Sequence, residues 1–137
     1  MKIVAVAGKF DPLHRGHIDH IKKAKKLGDK LVVITHPDYI VALNSHNGKC
    51  LMPLADRLAV LRELKSVDDV MISIDGDGTV AETLKILKPN IFAKGGDRIA
   101  YNMPEAEIRA CQEINCQIVY GVGDLLNSSS QLKDKYL

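Results

Sequence analysis

The sequence has no tryptophan, two phenylalanines and four tyrosines among 137 residues, so a stacking platform for a large planar ligand such as a flavin is sparse. Cysteine is scarce as well. Cys50, Cys111 and Cys116 are odd in number and contain no C-x-x-C pair, which argues against both a disulfide framework and a zinc site and fits reduced thiols in a cytoplasm. No apolar run approaches the ~18 residues that a membrane span requires, and Ile3-Val4-Ala5-Val6-Ala7 is too brief for a signal core. Neither a membrane nor an export route is expected. Charge of one sign is also lacking: 19 Lys and Arg against 17 Asp and Glu leave a net +2, which provides no global field for a polynucleotide but leaves a small anionic ligand open. What is present is 46% apolar and 26% charged residues, enough for one compact domain over residues 1–137 that buries roughly two-thirds of its unfolded surface.

Short β-branched runs alternate with stretches of helical period, the pattern of βαβ units around a parallel sheet. Strands are expected at Lys2 to Ala7, Lys30 to Thr35, Val70 to Ile74, Ile91 to Ala93 and Gln117 to Tyr120. Between them, Ile18, Ile21, Ala24 and Leu27 mark a helix from about His17 that Gly28 stops, and its other face carries Lys22, Lys23, Lys25 and Lys26, read as a solvated surface. Leu54, Leu58 and Leu61 mark a second helix, Val80, Leu84 and Leu87 a third, and Pro104 opens a fourth that runs through Ile114, with a short last helix near Ser129. The stretch from His36 to Pro53 has little period and reads as a long surface connection or irregular lid. The expected fold is therefore α/β: a Rossmann-like, doubly wound, five-stranded parallel sheet with helices on both faces, in a single domain. In such sheets ligands sit outside the carboxyl ends of the strands.

The residues least suited to a core stand just there. Gly8-Lys9-Phe10-Asp11-Pro12-Leu13-His14-Arg15-Gly16-His17 puts two glycines, a proline and two histidines between the first strand and the first helix. Glycine at a strand end lets a ligand approach the backbone, and the amides opening the helix favour an anion. His14 and His17, three apart at that helix start, can point the same way. His36 follows the second strand, Gly95-Gly96-Asp97 the fourth, and Asn127-Ser128-Ser129-Ser130 lies beyond the fifth. Neither G-x-G-x-x-G nor G-x-x-x-x-G-K-[ST] occurs, so dinucleotide hydride transfer and P-loop chemistry lose support.

The whole loop matches Gly-x-Phe-Asp-x-x-His-x-Gly-His, and on that pattern the chain resembles the cytidylyltransferase-like nucleotidyltransferases that share the HxGH signature. Lys94-Gly95-Gly96-Asp97 is similar to the K-G-G-D of the heptose-phosphate adenylyltransferase branch, and the glycerol-3-phosphate cytidylyltransferases have a similar size and layout. The resemblance implies transfer of an NMP moiety from a nucleoside triphosphate to a phosphorylated sugar or polyol, of the kind that activates lipopolysaccharide-core or cell-envelope sugars, with pyrophosphate released and Mg2+ as cofactor. It implies catalytic roles for His14, His17, Lys49 and Arg57. It assigns nucleotide contacts to Gly8, Lys9, Phe10, Asp11, Gly16, Gly95, Gly96, Asp97, Ser128, Ser129 and Ser130.

Read from its residue type alone, Arg57 would form a surface pair with Asp56 or Glu63, His36 stands where an acceptor could lie, and Asp11 would either help place Mg2+ or hold the loop. Gly123-Asp124-Leu125-Leu126 occupies the place of an Arg in glycerol-phosphate cytidylyltransferases, which favours ATP over CTP and a sugar phosphate over glycerol phosphate. The alternatives are adenylyl transfer to FMN, phosphopantetheine or nicotinamide mononucleotide, and a nucleotide-binding regulator without turnover. The resemblance further implies a cytoplasmic homodimer whose partners are small molecules only, with no polynucleotide.

Overall fold

A computed structural model of the chain describes residues 1–43, 45, 47–95 and 102–123. Ten elements follow one another: β1 (Ile3–Gly8), α1 (Arg15–Lys25), β2 (Lys30–Thr35), α2 (Asp38–Leu43), α3 (Leu54–Glu63), β3 (Asp69–Ile72), α4 (Ala81–Leu87), β4 (Ile91–Ala93), α5 (Glu105–Glu113) and β5 (Gln117–Val119). The five strands form one parallel sheet in the order β3-β2-β1-β4-β5. The chain winds outward from β1 to β2 and β3, then returns to add β4 and β5 on the other side. The order reverses between β1 and β4, and their carboxyl ends open a crevice there.

Because side chains alternate across a strand, one β-branched run feeds both faces of the sheet. Val4 and Val6 of β1, with Leu31 and Val33 of β2, pack under Ile21 and Ala24 of α1 and Leu61 of α3. Ala5, Ile34 and Phe92 point the other way, into a second cluster with Leu84 of α4 and Cys111 of α5. The five expected strands and four of the expected helices are thus present, and the last expected helix, near Ser129, lies outside the described residues.

Three local readings change. The connection from 36 to 53 contains α2, a helix of six residues that buries Ile40 and Val41; it is too short for a helical period to register against its neighbours. In α3 the apolar period is only part of the buried face: Leu61 and Arg57 are both fully buried, whereas Leu54 and Leu58 are partly exposed. Finally, Gly28 does not end α1 by a left-handed turn, since the helix caps at Lys26 with right-handed angles and Gly28 lies outside the glycines with positive φ. Its requirement is steric. A Cβ there would stand 2.7 Å from Cγ2 of Val4 and 2.8 Å from the Lys2 carbonyl, whose oxygen also accepts the Asp29 and Lys30 amides that start β2.

Gly28→Ala should therefore strain the β1–β2 entry even though alanine suits most helix ends. Urea denaturation should show a loss of about 1–3 kcal/mol, the range of overpacked sites; unchanged stability would mean that the two strands separate freely at this point.

Candidate active site

The loop leaving β1 is held by its own side chains. Phe10 takes a left-handed conformation, φ 54°, and is buried beside Gly8, where a Cβ would lie 2.9 Å from the ring; only glycine leaves room for that ring at the strand end. His14 then caps α1. Its Nδ1 accepts the Gly16 amide at 3.1 Å, and His17 Nδ1 accepts the His14 amide at 3.2 Å, a reciprocal capping box built from two imidazoles. The rings stack with centroids 3.8 Å apart, and the Phe10 ring meets His17 edge-on at 4.9 Å.

This arrangement alters how the loop can handle an anion. The amides of His14 and Gly16 are occupied by the box, and each imidazole keeps its Nε2 edge out of it. An Nδ1 that accepts an N–H places the ring proton on Nε2, making both histidines neutral donors. Burial supports the neutral form: it lowers the pKa of His14, and it takes that of His17 to about 3, with the charges of His14 and His20 adding to the effect. The donors are therefore dipoles held in place, needing no protonation at neutral pH.

Asp11 is 1% exposed, and its carboxylate accepts the amides of Leu51 and Met52. Of the two roles open to it, it performs the loop-holding one. Among the described residues no group of three His, Cys, Asp or Glu side chains could hold a metal ion. By anchoring Leu51 and Met52, Asp11 draws the segment carrying Lys49, whose side chain is exposed, against the β1 loop.

Arg57 forms no surface pair with Asp56 or Glu63. It is fully buried, donates to the carbonyls of Lys9, His36 and Met52 and to Thr35 Oγ1, and pairs with Asp38 at 2.6 Å. Lys9 itself is exposed, Gly8 and Gly16 are half-buried, and Lys94 and Gly95 leave β4 half-buried. Gly96, Asp97, Ser128, Ser129 and Ser130 lie outside the described residues.

His36 is 5% exposed, and its Nδ1 is buried without a hydrogen-bond partner. Burial first, then the charge of Lys9, and more weakly those of Arg57 and Lys94, lower its pKa against the opposing charge of Asp75. The ends of β1, β2, β3 and β4 thus converge electrostatically on this ring. Sequence reasoning passed over Asp38, Thr35, Asp75 and Lys94 as site-forming residues. Lys94 stands 4.6 Å above the Phe92 ring and 4.0 Å from Glu107 Oε1, and Asp75 accepts the Glu82 and Thr83 amides that open α4. Nothing short-range marks these; Lys94 lies in the K-G-G-D run, the one signal that could have found it.

A parallel sheet that reverses order at a crevice, with a histidine pair at the first helix start, defines a nucleotide-binding α/β domain. Residues 5–123 match the cytidylyltransferase-like family. The chain belongs to that family. It is 42% identical over 104 residues to the bifunctional protein HldE of Streptomyces coelicolor, covering 76% of this chain but only 22% of that protein. It is 43% identical over 95 residues to the FAD synthase of Pyrococcus abyssi, covering 69% of this chain and 63% of that one. Among solved structures, a lipopolysaccharide core biosynthesis protein of Thermoplasma volcanium superposes with a TM-score of 0.72 at 37% identity, covering 90% and 98% of the two chains. The chain thus spans about one-fifth of the length of the HldE relative.

The imidazole pair has a consequence for stability. A His17 pKa near 3 in the folded chain against 6.5 in the unfolded one means that, between these values, the unfolded state binds more protons. The contribution is fully present above pH 6.5 and is lost as pH falls toward 3. Denaturation midpoints should decline over that window, and His17→Gln should flatten the decline; an NMR titration of His17 centred near pH 6.5 would show that the ring is not buried in this way.

Proposed function

We propose that the chain transfers the NMP moiety of a nucleoside triphosphate, ATP in preference to CTP, to a phosphorylated sugar or polyol. The observation that carries this reading is the interlocked His14–His17 pair, two neutral Nε2–H donors held at the crevice between β1 and β4. An acceptor phosphate oxygen attacks the α-phosphorus, the new P–O–P bridge forms, and the bond to the β-phosphate breaks to release pyrophosphate. The acceptor phosphate is already ionised near neutral pH, so the protein's task is positioning and charge stabilisation. His14 and His17 donate to phosphate oxygens as charge shifts toward the leaving group, Lys49 supplies a point charge from its loop, and Gly8 and Gly16 allow close approach. Gly95, Gly96, Asp97 and Ser128 to Ser130 complete the nucleotide site on this reading. Mg2+ arrives as part of the nucleotide.

His36 is our acceptor-side residue, facing the charges of Lys9 and Lys94. The likeness to a lipopolysaccharide core biosynthesis protein and the K-G-G-D run support a sugar phosphate; the likeness to an FAD synthase supports FMN as a second acceptor, which the six aromatic residues of the chain serve less well. The family resemblance extends the reading to a cytoplasmic homodimer.

Pyrophosphate release measured with ATP and CTP against heptose, glycerol and other sugar phosphates, FMN and phosphopantetheine should identify one productive pair. His17→Ala should lower kcat with that pair by about 10²- to 10³-fold, the cost of one preorganised donor, with little change in ATP affinity. Nucleotide binding without release for any pair would replace the enzyme with a sensor.

A further inference from the structure

We infer that Arg57 is a positioning residue that never touches the nucleotide: it holds the backbones carrying Lys9 and Lys49, and Asp38 holds it. An arginine that grips phosphate must present its fork of N–H groups, whereas this side chain has no exposure at all. All three of its nitrogens are already engaged. Nε reaches the Met52 carbonyl at 2.8 Å; Nη1 serves the carbonyl of His36 at 2.7 Å, Thr35 Oγ1 at 2.9 Å and the carbonyl of Lys9 at 3.2 Å; Nη2 meets Asp38. Binding a phosphate would break these bonds and leave buried carbonyls unpaired.

The bonds instead form a latch. Met52 is gripped on both sides of its peptide unit, its amide by Asp11 and its carbonyl by Arg57, while the Cys50 thiol donates to the same carbonyl at 3.1 Å. Lys49 lies three residues upstream, so its reach toward a triphosphate depends on that grip. Asp38 is the one carboxylate bonded to the guanidinium among the described residues, and it is 49% exposed, which makes it the weak point of the latch. Thr35 adds a relay: its hydroxyl accepts from Arg57 and donates to the Lys9 carbonyl at 3.3 Å.

This inference rests on ATP being the ligand, and two measurements separate its fate from that of the proposed function. The first needs no variant or ligand: hydrogen exchange in the full chain should show the Leu51 and Met52 amides protected, with exchange at least tenfold faster in Asp38→Asn. Unprotected amides in the unaltered chain overturn the latch even if ATP never binds. The second is a double-mutant cycle on ATP affinity, followed calorimetrically, with Lys49→Ala and Asp38→Asn. If the latch acts through Lys49, each change weakens ATP several-fold and the pair is no weaker than the worse single variant, while Asp38→Glu restores binding toward the original. If the penalties multiply, the latch does not act through Lys49 and the inference fails. Should Asp38→Asn not fold, Thr35→Val takes its place in the same cycle with the same two outcomes.

Discussion

One buried guanidinium ties the carboxyl edge of this sheet together. Removing a charge from water costs several kcal/mol, and the cost is offset only when the ion is paired and its hydrogen bonds are complete. Arg57 meets that condition by drawing acceptors from four places: the loop after β1, the end of β2, the start of α2 and the segment ahead of α3. None of these segments has regular structure of its own at the point of contact except the ends of β2 and α2. Their mutual geometry is therefore set by a planar fork rather than by a sheet ladder. Lysine could not serve here, because a single ammonium cannot bond carbonyls lying in several directions within one plane.

Around that fork the site separates its tasks. On the proposed reading, anion recognition at the α1 start falls to neutral groups, since two imidazoles cap the helix through Nδ1 and keep a proton on Nε2. Burial keeps His17 neutral, and a neutral donor carries no charge that must be neutralised before the ligand arrives. Lys9 and Lys49 are exposed positive charges. Of the site groups that look cationic in the sequence, the two histidines are neutral and Arg57 is internally paired.

β1 and β2 were legible because each is a short β-branched run buried along most of its length, the edge strands β3 and β5 are partly exposed and were legible from their short apolar runs alone, and the β1 loop was legible because its residue types are unusual at a strand end. The histidine pair could be placed from spacing alone. Arg57 could be named from the family pattern but not understood, since its partners, Lys9, Thr35, His36, Asp38 and Met52, are 5 to 48 residues away and nothing local in α3 announces a buried charge. The periodic leucines of α3 described half of its inner face and concealed the other half. Asp11 shows the same limit: residue type left it open to placing Mg2+ or holding the loop, and its bonds to the amides of Leu51 and Met52 lie some forty positions later.

The two flanks of the crevice differ in kind, and the difference bears on what each can recognise. On the β1 side, the His14 and Gly16 amides and both imidazole Nδ1 atoms have partners that fix the two rings, and a preorganised surface of that sort suits one invariant group, such as a triphosphate. On the β2 and β3 side, His36 retains a buried nitrogen with no partner, under the opposed fields of Lys9 and Asp75. An unsatisfied buried nitrogen of that kind costs about 1–3 kcal/mol. A site that differs between substrates needs adjustable groups of this sort, because small changes in the neighbouring charges alter which edge of an imidazole is favoured. Relatives of this chain with one loop and different products would then share the rigid flank and diverge at the ends of β2 and β3.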